Sequence, residues 1–280
     1  MNGLVLEGGA RRCIFTAGVL DCFMDNLIEF DYVAGVSNGA QAGLNFVSGQ
    51  RGRSRDVMMP YIEKFTEKIQ DPLSSDLHKI IYEFPYSQYP FDFDKFFSSG
   101  VECEIVATDC TEARPEYFSV KDDEKRLLDC LCASCSLPLL FPMVTIDGRG
   151  YMDGSITDAI PFERAFSRGC DRVVAVNSKP VDESATDYGK LGILIRNRYS
   201  KTYPKLTERL MNRLHYYQQQ CRQLQERIDE GSLFLIRPDE TYVKSYELNR
   251  EHLEAAYDIG YKMAEEKMPE LRRFLYDKRP

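Results

Sequence analysis

The sequence predicts an α/β fold, a mostly parallel central sheet flanked by helices. Three observations carry that expectation. Short apolar runs, each about as long as a buried strand, recur at residues 3–7, 32–36, 104–109 and 172–176. Between them lie stretches whose apolar residues return at helical intervals. Each of the first two runs leads through a glycine-bearing turn directly into such a stretch, as successive βα units do.

Taken in order, residues 3–7 form the first strand and Gly8-Gly9-Ala10-Arg11-Arg12-Cys13 its loop. Residues 14–27 read as a helix with an apolar stripe of Ile14, Val19, Leu20, Phe23 and Leu27. Strand, glycine loop and helix also describe a dinucleotide site, but the G-x-G-x-x-G spacing and a Walker lysine are both missing. Tyr32 to Val36 is the second strand. It runs into Gly35-Val36-Ser37-Asn38-Gly39, and Leu44, Phe46 and Val47 follow at helical intervals.

Residues 51–100 are less regular. A helix is expected over 59–69, after Arg51, Arg53, Arg55 and Asp56. The aromatic and proline-rich stretch 84–93 fits either a cap over the site or a surface loop pinned by its own rings. Strands follow at 104–109 and 116–120, then a helix over 123–134, acidic at its start as the helix dipole favours. Pro138 and Pro142 close that segment. Val144-Thr145-Ile146, a Gly148-Arg149-Gly150 turn and Tyr151-Met152 read as a hairpin that delivers Asp153-Gly154. A short helix over 162–168 leads to the strand 172–176. Beyond residue 180 come a long polar helix over 206–228, a strand at 233–236 and an acid-rich helix from Glu251. The organisation expected is one domain over 1–280, with a core at about 3–180 and a C-terminal helical extension at about 181–280.

Composition narrows the function classes. The net charge of −8 across 280 residues opposes general nucleic-acid binding, which requires a basic face. No apolar run reaches the roughly 18 residues of a membrane span, and Met1-Asn2-Gly3 enters the first strand with no basic leader. A cytoplasmic location is the default expectation. The nine cysteines are scattered, and Cys13, Cys22, Cys130, Cys132, Cys135 and Cys170 sit among apolar neighbours in segments that read as helices. Cys132-Ala133-Ser134-Cys135 lacks the second pair or the histidine that a zinc set needs, so no metal or cofactor is expected. Residues 196–213 carry Arg196, Arg198, Lys201, Lys205, Arg209 and Arg213 against the single acid Glu208. They read as a solvated helix face or as a peripheral contact with anionic lipid headgroups.

The chemistry centres on Ser37. Gly-x-Ser-x-Gly between a strand and a helix is the context of a nucleophile elbow. Gly35 and Gly39 permit a turn too tight for a Cβ, and the helix that follows aims its amides and positive dipole end at the hydroxyl. A serine needs a base to take its proton. His215 or His252 would serve in a Ser-His-Asp triad, and His78 precedes the irregular insertion. Ser37 follows only the second strand, which is early for such a triad. Among the carboxylates, Asp109 reads as the cap of a turn and Asp158 as the cap of the helix near Pro161. Asp21 and Asp25 read as solvated helix positions.

Three signals in one order, the glycine loop at Gly8, G-x-S-x-G at Ser37 and Asp-Gly at Asp153, resemble the patatin-like phospholipase family. Its pattern is G-G-G-x-R-G, then G-x-S-x-G, then D-G-G/A. The likeness covers about residues 4–176, including Ala133-Ser134-Cys135-Ser136-Leu137-Pro138, and looks like the bacterial branch. The resemblance implies a three-layer fold, Ser37 as nucleophile and Asp153 as its base in a Ser-Asp dyad without histidine. It implies that Gly8, Gly9 and Ala10 form the oxyanion loop, with Arg12 at the motif arginine and Gly35, Gly39 and Gly154 at motif glycines. The chain departs from the pattern at Ala10 and Cys13, which puts the tightness of the loop and the shape of the pocket in question, and at Ser155, which could hydrogen-bond the base or do nothing. The expected activity is hydrolysis of lipid or lysolipid acyl esters through an acyl-enzyme. The alternatives are a lipid acyltransferase and a lipid-binding or regulatory protein on a degenerate scaffold.

Overall fold

The computed structural model describes residues 1–59, 77–181, 183 and 185–277. Its sheet is built from β1 (Asn2–Leu6), β2 (Tyr32–Val36), β3 (Glu102–Asp109), β4 (Arg114–Phe118), β5 (Val144–Ile146), β6 (Arg149–Asp153), β7 (Arg172–Val176) and β8 (Leu233–Ile236). β3, β2, β1, β7 and β8 lie side by side and parallel. The chain runs from β1 outward to β3 and later returns to β7 on the other side of β1. That reversal opens a crevice at the carboxyl ends of β1 and its neighbours.

The register around β3 sets the site. One edge of β3 pairs with β4 along residues 105–109. The other edge pairs with β2 up to Val36, opposite Val106. On that same edge the antiparallel β6 then arrives with Asp153 opposite Ala107. The two strands therefore meet end to end on one side of β3. The residue after Val36 and the last residue of β6 are brought to a single point.

Alternation along β1 sends Leu4 and Leu6 into one core and Val5 into the other. The first core is shared with α1 (Cys13–Asp25), α2 (Asn38–Val47), α5 (Glu124–Cys135) and α10 (Arg250–Tyr276). The second lies under α6 (Phe162–Ser167) and α9 (Arg213–Asp229). Helix, sheet and helix form the three layers expected. The C-terminal hundred or so residues supply a strand and a helix to each face. Among the described residues, no helix is long and apolar enough to cross a membrane.

Several expectations change. The helix expected over 59–69 lies, apart from Met59, outside the described residues; α3 (Arg53–Met58) precedes it. The stretch 84–93 is no cap. Pro85 and Phe91 pack with Leu127, Leu128 and Leu131 of α5, and Phe91 meets Phe93 and Phe96 at 4.9 and 5.8 Å, so the rings pin a surface loop ahead of α4 (Phe93–Ser98). The long polar helix is two, α8 (Pro204–Met211) and α9, broken at Asn212 where Arg213 turns inward. Cys170 sits in the loop before β7 rather than in a helix. Asp21 is buried, accepting from Tyr257 Oη at 2.7 Å and from the Gly52 amide. Burial raises its pKa against those donors. The helix that covers it comes from the far end of the chain, so no local pattern reveals the contact.

Candidate active site

Ser37 occupies the turn between β2 and α2 at φ 55° and ψ −130°, a conformation that costs a non-glycine residue energy and must be held by its surroundings. Its amide donates to Ser134 Oγ at 2.7 Å, and Ser134 Oγ donates to the Val106 carbonyl at 2.6 Å. One buried hydroxyl thus ties the elbow to β3. Gly39 is needed for a different reason: a Cβ there would lie 2.6 to 2.7 Å from the carbonyl oxygens of Glu7 and Leu6. Ser134→Ala is expected to destabilise the fold by about 1–3 kcal/mol, because it strands a buried amide. The loss is measured by urea unfolding and should be accompanied by lower turnover.

Asp153 ends β6 with 1% of its surface exposed. Its amide donates to the Ser136 carbonyl at 2.9 Å, and its Oδ1 accepts the Ser155 amide at 2.8 Å. Gly154 packs so closely on β3 that a Cβ would fall 2.2 Å from the Val106 carbonyl oxygen. The stretch Ser134–Ser136 therefore grips Ser37 with one hydroxyl and Asp153 with one carbonyl. Burial raises the Asp153 pKa above the ordinary carboxyl value. Hydrogen bonds from Ser155, the positive charge of Arg213 and the Ser37 hydroxyl hold it down. Burial pushes the Cys135 thiol well above its ordinary pKa and keeps it neutral.

The loop Gly8–Ala10 forms the roof. A Cβ built on Gly8 would lie 3.1 Å from Ser37 Cβ, and Ala10 keeps the left-handed turn at φ 51° where the motif has glycine. Substitution by alanine thus preserves the backbone path. Glu7 anchors the loop from below. One of its oxygens accepts from Lys179 Nζ and, at 2.7 Å, from Tyr217 Oη; the other accepts the Ser178 amide at 2.9 Å. Ser178 Oγ donates to the Gly8 carbonyl at 3.0 Å. Arg12 reaches out of the loop to an ion pair with Glu183.

Gly8, Gly9, Ala10, Ser37 and Asp153 share a cavity of about 400 Å³. Its apolar walls come from Leu137 to Leu140, Ala185, Tyr188, Leu191 and Tyr246. A larger groove between β8 and α10 contains none of the motif residues. The three histidines are exposed and none lines the cavity. Asp109 caps a turn as expected, accepting the amides of Thr111 and Glu112. Asp158 does not cap α6; it accepts instead from Tyr117 Oη and Gln220 Nε2 at 2.7 and 2.6 Å, because Tyr117 and α9 cover it.

Two cations of the basic stretch face inward. Arg209 donates to the carbonyls of Ile156 and Thr157, and Arg213 to the carbonyl and hydroxyl of Ser155 and to the Thr186 carbonyl. They clamp the turn that follows Asp153. The roles of Ser134, Glu7, Lys179 and Arg213 were not legible in the sequence, since each depends on a partner distant in the chain. Arg213→Met is expected to move the acidic limb of the pH–rate profile to higher pH. Removing the nearby positive charge raises the Asp153 pKa further, so its deprotonation needs more alkaline solution. Ionising Asp153 works against folding by the same linkage. Its share of stability is present at low pH and declines as pH rises from the ordinary carboxyl value through the raised one.

The family model described as patatin-like phospholipase matches residues 4–166. A second model, a domain of unknown function (DUF6363), matches residues 203–276, the segment that supplies Arg209, Arg213 and Tyr217. The uncharacterized protein YjjU of Escherichia coli (strain K12) is 35% identical over 189 residues, covering 63% of this chain and 52% of that protein. The lysophospholipase NTE1 of Eremothecium gossypii is 27% identical over 206 residues, covering 67% of this chain but 12% of the relative. The chain thus spans about half of the first and about an eighth of the second. In fold, it resembles the crystal structure of VipD from Legionella pneumophila, with a TM-score of 0.51 at 13% identity, over 96% of this chain and 67% of that one.

Proposed function

Because this chain belongs to the patatin-like phospholipase family, we propose that it is a serine acyl hydrolase acting on lipid or lysolipid esters through Ser37 and Asp153. The observation that carries the proposal is the end-to-end meeting of β2 and β6 on β3, which supports a direct proton path between the two side chains. Ser37 Oγ attacks the ester carbonyl carbon as the Asp153 carboxylate takes the hydroxyl proton. The oxyanion that forms accepts from the amides of the Gly8–Ala10 loop, each such donor being worth about 3 kcal/mol. Collapse expels the alcohol, which takes the proton from Asp153, and leaves the acyl group on Ser37. Water then attacks the acyl carbon as Asp153 again takes the proton; collapse breaks the bond to Ser37, returns that proton to Ser37 Oγ and releases the fatty acid.

The apolar walls support an acyl chain as the part of the substrate held in the cavity. The name of the NTE1 relatives supports a lysolipid ester as the first substrate to try. A fluorophosphonate is expected to label the full chain once, at Ser37, and the unlabelled protein to turn over a short-chain nitrophenyl ester. Absence of both would favour the lipid-binding reading. An acyl ester of glycerol, formed when glycerol is supplied, would instead mark an acyltransferase.

A further inference from the structure

The surface around the cavity mouth presents apolar side chains to solvent. Leu139, Leu140, Leu191 and Tyr246 line the cavity, yet they are 36, 39, 40 and 58% exposed. The rim continues onto α7 (Gly192–Tyr199), where Ile193 and Leu194 are 77 and 55% exposed. Only Ile195 and Tyr199 of this helix are buried. Tyr199 Oη accepts the Leu139 amide at 3.1 Å, which fastens α7 to the leucine loop. Single exposed apolar residues are ordinary, but a contiguous set around one opening marks an interaction site.

The charge of the same surface selects the partner. Between residues 188 and 207 there is no acid, whereas the chain as a whole carries −8. Lys190, Arg196, Arg198 and Lys201 are exposed in that span. Lys205 is engaged by Glu112, and Arg209 and Arg213 beyond it point inward, so the outward cations cluster on and beside α7.

We propose that α7 and the 137–140 loop form a docking face for an anionic lipid bilayer. Ile193, Leu194, Leu139 and Leu140 enter the boundary between headgroups and acyl chains, and the cations around them meet lipid phosphates. The cavity mouth then opens into the layer that holds the ester, so a lipid reaches Ser37 without crossing water. This use of the face rests on the hydrolase reading; the docking itself does not.

Flotation of the full chain with vesicles of phosphatidylglycerol and phosphatidylcholine tests it, using Ser37→Ala protein beside wild type so that the vesicles stay intact. Both are expected to float, and less so with phosphatidylcholine alone or at high salt. The pairs Ile193→Asp with Leu194→Asp, and Arg196→Glu with Arg198→Glu, should each weaken binding about tenfold or more. Melting temperature and turnover of a soluble short-chain ester should not change. Failure of wild type to float, or equal flotation of the variants, overturns the proposal. So does sedimentation velocity showing a dimer that the Ile193→Asp, Leu194→Asp pair dissociates while vesicles stay bare, because the patch would then be a contact between copies. Flotation without ester turnover would leave the docking face standing and remove the hydrolase reading. Turnover of the soluble ester without flotation would do the reverse.

Discussion

Ser37→Ala and Asp153→Asn are each expected to lower kcat on a short-chain nitrophenyl ester by about 10³-fold or more, and the double variant no further than the worse of the two. Each step of acyl transfer needs an oxygen nucleophile and a base within hydrogen-bonding reach, and the pairing of β2 and β6 along one edge of β3 brings the two residues together. A base with nothing to deprotonate contributes nothing, and neither does an alcohol with no base, so the losses do not add. Asparagine keeps the shape of Asp153 and can still accept the Ser155 amide, so the fold should persist by circular dichroism and thermal melting. Turnover by Asp153→Asn above a tenth of wild type would assign the proton to another group.

Lys179→Met should cost about 3–5 kcal/mol of stability, because it leaves Glu7 as a buried carboxylate without its cation. Glu7 is fully buried and Lys179 nearly so. Tyr217, whose pKa burial drives upward, stays a neutral donor to the same oxygen. Pairing Lys179→Met with Glu7→Gln removes both charges and should restore most of the loss, a coupling that a double-mutant cycle in urea reads directly. A loss below about 1 kcal/mol in the single variant would mean that Tyr217 and Ser178 suffice to hold the carboxylate. The glycine loop hangs from this network through Ser178, so the single variant should also lower turnover by the protein that remains folded.

The strands and motif loops were legible because their signals are local. β2, β7 and β8 fall where their apolar runs stand, and the turns at Gly8, Ser37 and Asp153 are written in glycine and its neighbours. The encounter of Ser37 with Asp153 was legible only through the family resemblance, because it is created by two different partners pairing with one edge of β3. Asp21, Asp158 and Arg213 were misread or unread for a related reason. Each is a polar residue whose partner lies far along the chain, and periodicity describes only what an element does by itself. The break at Asn212 was hidden because polar residues run through both helices, while the inward turn of Arg213 is a tertiary contact.

The junction on β3 bears on how this chain tolerates change. Ser37 and Asp153 are spaced by the rungs of a third strand, so their separation is fixed by backbone geometry rather than by loop length. Extra residues at the Asp147–Gly148 tip would leave Asp153 where it is. One residue inserted between Tyr151 and Asp153 would advance the chain by roughly 3.3 Å and turn the carboxylate to the opposite face of the sheet. The cavity walls drawn from 137–140 and 185–191 take no part in that pairing. The cavity walls can therefore change by substitution while the separation of Ser37 and Asp153 stays constant.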